Sequence, residues 1–372
     1  MSTGRYEYLD HPPSYDAATT QPLAAKDMPH EVHEHYARGL DELEKMGAKG
    51  LGGKFQVCLA LDISISMQSQ NKFFYDEHKE DDCQYPVQEL ITQALSLGYL
   101  LDDENFVTVF PFGDQAYGPL QVDQSNYEKL AEYFYKEQNG VTVVNHLKDH
   151  TDYVAVIHAI KHHYTAGKTA KEIQLMPPVI VMFDTDGDAN PLLANDPIKP
   201  HDKSAGFQPY PVSFAKSKSK MDAHLQVEKI FAEVSGLPFY FVFLGMKGEN
   251  RQNLPEEQQF SDLKKAANYY KKDPKKIPQN MDLLIIDHPE DLEMHSLIRK
   301  LPHWLIQAYN KKITSINVSE LIDIKKFNRY EKRQESCWAS LFCCAKSDPY
   351  EIKHDDQNHL QAAHGPTSHM MK

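Results

Sequence analysis

The chain has 372 residues, of which 41% are hydrophobic and 25% are charged, and 53 acidic against 40 basic residues give it a net charge of −13. These values are ordinary for a globular core and exclude the disordered and fibrous classes of protein. The acidic balance argues against nucleic-acid binding, because no basic domain stands out to neutralise phosphates. The length fits two domains, or one large α/β domain with tails.

The five cysteines are too few and too unevenly placed for a disulfide framework, and they include no CxxC pair typical of a structural zinc site. The N-terminal residues lack the apolar stretch of a secretory signal. The longest apolar runs are also much shorter than the ~20 residues that a membrane span needs. We therefore expect a soluble, cytoplasmic protein in a reducing compartment.

The N-terminal region is predicted to be an arm followed by a short helix. Residues 1–35 are rich in Pro, His and small polar residues without periodicity, which is typical of a flexible segment. The HEVHEH sequence at 30–35 lacks the HExxH spacing that places two imidazoles on one helical face, so we predict no metal site there. Residues 36–53 are predicted to form a helix, 36–48, and a glycine-rich linker.

From residue 54 onward, apolar runs of strand length alternate with segments of helical periodicity. The predicted strands are 55–61, 106–112, 177–183, 237–245 and 281–287, and the predicted helices are 86–101, 126–137, 152–164, 223–236, 259–270 and 289–312. Near-continuous apolar strands are typical of a parallel sheet that helices cover on both faces. Residues 54–312 are therefore predicted to form one doubly wound, Rossmann-like α/β domain with a mostly parallel central sheet, and 313–372 a tail.

Oxygen-bearing side chains cluster just after the predicted strands, where ligands bind in doubly wound folds. Carboxylates and hydroxyls are the ligands that Mg²⁺ prefers in proteins. Three such segments at one end of one sheet predict a metal site, and they are Asp62-Ile63-Ser64-Ile65-Ser66, Thr151-Asp152 and Asp184-Thr185-Asp186-Gly187.

These segments resemble the metal-ion-dependent adhesion site of von Willebrand factor type A (VWA) domains. The order and spacing of YPVQELITQALSLGYLLDDENFVTVFPFGDQA, PVIVMFDTDG, FYFVFLG and LPHWLIQA are similar to the tellurium-resistance/copine-like branch, over roughly 54–310. The resemblance implies Mg²⁺, Mn²⁺ or Ca²⁺ as the cation, and Asp186 acting on it directly or through water. It implies that the inner ligands are Asp62, Ser64, Ser66 and Thr151.

The resemblance also implies a protein-interaction module whose partner presents an acidic residue to the cation. Two positions depart from the family pattern. Ile65 stands where the family usually has Gly, which stiffens the loop. Asp184 replaces an apolar strand residue and lies two positions before Asp186, on the same side of the strand, so that it adds charge beside the ligands, as Asp152 also does.

Two other roles remain open for the predicted cation. It could merely screen the neighbouring carboxylates from one another, or it could serve a metal-assisted hydrolase. A hydrolase needs a nucleophile or general base in the same pocket, and His150 and His158 are the histidines nearest in sequence. They pair with no serine or cysteine in a recognisable arrangement, so we predict a non-enzymatic function. The long segment 188–221 either selects partners or is a disordered insertion.

The C-terminal tail combines a basic cluster with an apolar segment at 337–344. This composition suits contact with a membrane surface, and three cysteines are candidate acyl acceptors, so that a membrane-recruited scaffold is a further hypothesis. The alternative is a segment that packs on the domain. The basic residues are Lys325, Lys326, Arg329, Lys332 and Arg333, and the cysteines are Cys337, Cys343 and Cys344.

The N-terminal arm contains Pro12-Pro13-Ser14-Tyr15, a P-P-x-Y sequence of the kind that WW domains bind in polyproline form. This sequence and acylatable cysteines are cues that eukaryotic cells read, whereas the VWA branch includes many bacterial members. One hypothesis that unites the two is a bacterial effector delivered into a host cell.

Overall fold

The computed structural model describes residues 28–74, 85–139, 141–144, 147–187, 207–212, 218–247, 280–286 and 291–344, together with positions 190, 193, 260, 263 and 264. The chain divides into two units, residues 1–327 and residues 328–372. Each unit is described by itself. The P-P-x-Y sequence lies outside the described residues.

Six strands form the central sheet of the first unit, in the order β3-β2-β1-β6-β7-β8, and two more form a separate antiparallel hairpin. Neighbouring strands of the sheet are parallel except β2 and β3. The strands are β1 (Gln56–Asp62), β2 (Val107–Phe112), β3 (Leu120–Val122), β4 (Tyr135–Gln138), β5 (Val141–Val144), β6 (Val179–Thr185), β7 (Phe239–Met246) and β8 (Met281–Ile286).

Helices cover both faces of the sheet, and every residue of β1, β2, β6 and β7 is buried. This burial explains why these strands are apolar along their whole length rather than at alternate positions. The helices of the described residues are α1 (His30–Met46), α2 (Ile65–Asn71), α3 (Pro86–Leu101), α4 (Tyr127–Glu132), α5 (Tyr153–Thr165), α6 (Ala170–Leu175), α7 (Lys220–Val234), α8 (Met294–Ile298), α9 (Leu301–Asn310), α10 (Val318–Leu321) and α11 (Ile324–Cys344).

The predicted α/β class and the mostly parallel sheet are confirmed, with an antiparallel edge strand, β3, that we did not predict. On one face α5 and α7 pack on an aromatic core that includes Phe183, Phe241 and Phe243. On the other face α3 packs on β1, and α1 packs on α3. None of the described helices combines the length and the apolar character that crossing a membrane requires.

The predicted helix 126–137 is wrong in its second half. Helix α4 ends at Glu132, and the chain then enters the β4–β5 hairpin. Aromatic contacts hold the junction, since the Phe134 ring lies 4.4 Å from the Phe74 ring and the Tyr133 ring lies 4.4 Å from the Phe207 ring. The sequence itself indicates this hairpin, because Asn-Gly at 139–140 is the strongest short-range indication of a tight turn between two strands.

Two other predicted helices also differ from the structure. The single predicted helix 289–312 is two helices, α8 and α9, and Pro302 lies in the first turn of α9, where a missing N–H is tolerated. Helix α1 begins at His30 rather than at residue 36, because Val32 in its first turn is fully buried while the neighbouring positions 30, 31, 33 and 34 are exposed, as on one apolar side of a helix. Most of the predicted helix 259–270 lies outside the described residues.

Candidate functional site

The carboxyl ends of β1 and β6 bring together two of the predicted acidic residues. Asp62 is the last residue of β1 and is fully buried. Its Oδ1 accepts a hydrogen bond from the Ser64 backbone N–H at 2.8 Å, and its Oδ2 accepts one from Thr185 Oγ1, also at 2.8 Å. The neighbouring strand thus fixes the orientation of the Asp62 carboxylate.

A line of hydroxyl groups connects the loop after β1 to the loop after β6. Ser64 Oγ lies 2.9 Å from Ser66 Oγ, and Ser66 Oγ donates to Asp186 Oδ1 at 3.0 Å. Ser64 and Asp186 are buried, and Ser66 is partly exposed. Four of the five predicted ligands, Asp62, Ser64, Ser66 and Asp186, therefore lie in one connected cluster.

The segment 147–151 lies alongside the loop that follows β1. The Lys148 backbone N–H donates to the Ile63 carbonyl at 2.9 Å, and the Ile65 N–H donates to the Lys148 carbonyl at 2.8 Å. Lys148 also places its ammonium group 5.2 Å from the centre of the Tyr117 ring. These contacts bring the chain to the sheet end just before Thr151.

Thr151 is buried, and its contacts are with Asn190, which lies beyond β6 in the chain. The Thr151 N–H donates to the Asn190 carbonyl at 3.0 Å, and the Asn190 N–H donates back at 2.9 Å. Asp152 has a local structural role, because its Oδ1 accepts from the Ala155 N–H at 2.9 Å and so caps α5. Our prediction of Asp152 as a carboxylate beside the ligands did not anticipate this cap.

Asp184 differs from the other carboxylates of the cluster in its hydrogen bonding. It is fully buried, and neither of its oxygens has a hydrogen-bond partner among the described residues. Burial, followed by the charges of Asp62 and Asp186, raises the pKa of Asp184 well above its usual range. Burial raises the pKa of Asp62 to about 7, and repulsion from Asp186 adds to the shift.

Tyr153 is a residue of the site that sequence reasoning missed. It is the first residue of α5, and its hydroxyl lies 2.8 Å from Thr185 Oγ1 and donates to the Gly187 carbonyl. Since Thr185 in turn donates to Asp62, Tyr153 supports both the ligand-bearing strand end and the turn after Asp186. No spacing rule indicates this role, because it depends on how α5 packs against β6.

The donor set of the cluster fits a hard divalent cation. The atoms are carboxylate and hydroxyl oxygens, which suit Mg²⁺ or Ca²⁺, and the soft ligands that Cu(I) prefers are missing from the cluster. Among the described residues, no three His, Cys, Asp or Glu side chains form a group that could hold a metal ion alone. A cation here would therefore need the hydroxyls of Ser64 and Ser66, together with water.

The structure describes part of the long segment 188–221, and residues 207–210 lie beside the loop that follows β2. The Gly118 N–H donates to the Gln208 carbonyl at 3.0 Å, and the Tyr210 N–H donates to the Ala116 carbonyl at 3.0 Å. The Tyr210 hydroxyl lies 3.0 Å from His162 Nδ1. Residues 207–210 thus pair with the loop that follows β2.

In the described residues, the hydrogen bonds of the cluster of Asp62, Ser64, Ser66 and Asp186 include neither of the histidines considered for hydrolysis. His158 is on α5, where burial lowers its pKa, and His150 precedes Thr151. The three tail cysteines lie within α11, whose backbone is helical to Cys344. Nothing in the structure tests their acylation, which stays a prediction.

The sheet order and its covering helices define an α/β domain with a mostly parallel central sheet. Residues 54–200 match the family model described as the vWA domain found in the TerF C terminus. These residues therefore form a VWA domain of the TerF-like branch, as the sequence predicted, and such a domain is in general terms a protein-interaction module.

Comparisons with curated proteins and with solved structures add little to this family match. No curated protein matches the chain. Thirty-one chains of solved structures match, among them a point mutant of the PilB minor pilin from Streptococcus sanguinis, with 12% identity and a TM-score of 0.37. That match covers 69% of this chain and 62% of the pilin chain, which is less than two thirds of the pilin's length.

Proposed function

We propose that this chain recognises a partner protein through a divalent cation bound at the carboxyl ends of β1 and β6. Mg²⁺ is the first candidate, and Mn²⁺ and Ca²⁺ are alternatives. An acidic side chain of the partner completes the coordination of the cation. The ligands are Asp62, Ser64, Ser66, Thr151 and Asp186, with Asp184 beside them.

The observation that carries the proposal is the buried cluster of carboxylates and hydroxyls. Asp62, Asp184 and Asp186 are all buried, and burial, followed by repulsion from the other two carboxylates, raises the pKa of Asp184. Within the described part of the chain, neither Asp62 nor Asp184 forms an ion pair. Buried carboxylates that lack a counter-charge are costly, and a cation bound among them removes that cost.

The arrangement also supports recognition by a ligand from outside. The Ser66 side chain is partly exposed, and it lies between buried Ser64 and buried Asp186. A cation held here would face solvent on the Ser66 side, with coordination positions left for water or for a partner's carboxylate. Ile65, next to Ser66, exposes 54% of its surface and offers an apolar contact beside that position.

The proposal is tested by a thermal-shift titration of the metal-free protein with Mg²⁺, Mn²⁺ and Ca²⁺. A cation held at 100 times its Kd should stabilise the folded state by about 2.7 kcal/mol. We expect this gain to be lost in Asp62→Ala and reduced in Ser66→Ala. Asp41→Ala, which removes an exposed carboxylate of α1, is the matched control and should keep the gain.

Failure to raise the melting temperature with any of the three cations would contradict the proposal. Ser66→Ala guards against misreading, since Ser66 is partly exposed and its loss should leave the apo protein folded. The partner's chemistry is tested by selecting displayed peptides in the presence of the active cation and eluting them with EDTA. Enriched peptides should contain Asp or Glu and should lose binding when that residue becomes Asn or Gln.

A hydrolase using the same cation gives a different result. Hydrolysis of a model ester or phosphate ester that tracks added Mg²⁺ and disappears in Asp62→Ala would favour that alternative. Binding of acidic peptides without such turnover favours recognition.

A further inference from the structure

Helix α11 carries a basic face in the second unit of the chain. In its first turns within that unit, positions 330, 331 and 334 are partly covered. The exposed positions lie four residues apart in two pairs, which puts them on one side of a helix. These exposed residues are Asn328, Arg329, Lys332 and Arg333.

This face, defined here as the basic stripe of Arg329, Lys332 and Arg333, is electrostatically unusual for the chain. Helix α11 contains five basic residues and two glutamates, a net charge of +3, whereas the whole chain carries −13. An acidic protein that concentrates exposed positive charge on one helical face attracts anionic surfaces at that face and repels them elsewhere.

An apolar sequence follows the stripe after the three polar residues 334–336. Cys337-Trp338-Ala339-Ser340-Leu341-Phe342 continues in the same helix, which ends at Cys344. Within the described chain, no helix meets the requirements of a membrane span. A basic helical face followed by Trp, Leu and Phe is the composition of helices that lie in the plane of a membrane interface.

We infer that α11 docks the chain on an anionic lipid surface, with the basic stripe at the headgroups and the apolar residues after it inserted between them. The apolar sequence favours lipid over nucleic acid, because a bilayer interface accepts both exposed cations and a neighbouring Trp-Leu-Phe segment. Helix α11 is a different segment from the proposed cation site, and this docking requires no metal.

The test is co-sedimentation of the full chain with phosphatidylcholine vesicles that contain or lack phosphatidylserine, in EDTA and at physiological ionic strength. We expect binding only when phosphatidylserine is present. Each basic residue near such a surface contributes about 1 kcal/mol, or roughly fivefold in partitioning. The combined variant Arg329→Glu, Lys332→Glu and Arg333→Glu should therefore lose roughly 100-fold or more.

A matched control distinguishes an effect of the basic stripe on vesicle binding from an effect of the chain's net charge. Lys129, Lys171 and Lys229 are exposed on α4, α6 and α7 of the first unit. Reversing these three lysines to Glu changes the net charge by the same amount and should leave partitioning within a few fold of the unchanged chain. Equal losses in the two triple variants would overturn the inference, because binding would then follow net charge alone.

Fluorescence tests the apolar segment independently. The chain has two tryptophans, and Trp304 is only 2% exposed. Phosphatidylserine vesicles should shift the emission to shorter wavelength, and Trp338→Phe should abolish the shift. Equal sedimentation with neutral vesicles, absence of sedimentation with anionic vesicles, or binding of heparin without binding of vesicles would each overturn a lipid-docking role.

Discussion

Strand β1 has a buried aspartate system at each of its ends, and the two differ in how their carboxylates are satisfied. At the start of β1, Asp102 accepts hydrogen bonds from the backbone N–H groups of Val57 and Glu104, each at 3.1 Å. At the far end, Asp184 accepts none among the described residues, although it is even more completely buried.

The pKa values of the two residues do not reveal this difference. Burial raises the pKa of Asp102 to about 7, with Glu104 adding to the shift, and burial also raises the pKa of Asp184. Asp102 joins the end of α3 to the start of β1 and has both oxygens bonded, which makes it a structural residue. Asp184 has an unmet need for a proton or a cation, which is why a perturbed pKa becomes informative only beside the hydrogen-bond geometry.

The largest expected effect is a pH dependence at Asp102. Because the folded pKa is above the unfolded value, the stability that this group contributes is full below about pH 4 and is lost as the pH rises through about 7. Asp102→Asn does not titrate, so its unfolding free energy should improve relative to the unchanged protein by at most about 3 kcal/mol between pH 5 and pH 8.

Urea denaturation in EDTA at the two pH values measures this difference. Asp62 and Asp184 titrate in both Asp102→Asn and the unchanged protein, so their contributions cancel in the difference between the two unfolding free energies. Asp103→Asn changes the same charge at the exposed neighbouring position and should follow the profile of the unchanged protein. An Asp102→Asn profile parallel to that of the unchanged protein would show that Asp102 is ionised in the folded state throughout this range.

Asp184→Asn should have the next largest effect on stability. Unlike Asp102, Asp184 has no hydrogen-bond partner among the described residues. In EDTA at pH 8, removing an unpartnered buried charge should stabilise the folded protein by about 2 kcal/mol. A saturating concentration of the cation should reduce the difference in unfolding free energy between this variant and the unchanged protein, because the ion supplies a counter-charge to Asp184. Denaturation curves with and without the cation measure both values. If Asp184→Asn were less stable than the unchanged protein in EDTA, Asp184 would be a satisfied structural residue like Asp102, and the contrast between the two aspartates would be wrong.

Tyr153→Phe probes the support of the site rather than its ligands. Loss of the hydroxyl leaves the Gly187 carbonyl and Thr185 without this contact, at a cost of about 1 kcal/mol. Cation affinity should fall as well, because Thr185 helps to orient Asp62. Tyr164→Phe on the same helix is the control and should not change the cation titration, and an equal change in both variants would exclude a specific role for Tyr153.

The sequence allowed prediction of the sheet and of four clustered ligand candidates, because apolar runs mark buried strands and parallel strands end at one edge. Other features depend on contacts between distant segments. The second half of the predicted helix 126–137 became β4 through packing around Phe134, and Tyr153 and the unmet hydrogen bonding of Asp184 follow from the packing of α5 and β6. Side-chain periodicity carries no information about such contacts.

Ile65 gives the smallest expected effect and tests a departure from the family pattern. Ile65 is the first residue of α2, and it is not among the described non-glycine residues with a left-handed φ. Its N–H already donates to Lys148, so the loop conformation needs neither glycine nor a particular side chain. Ile65→Ala should change stability by about 0.5 kcal/mol or less and leave the cation titration unaltered. If the variant gained or lost most of the cation-induced stabilisation, the rigidity of this loop, rather than the charge contrast between the two ends of β1, would control the site.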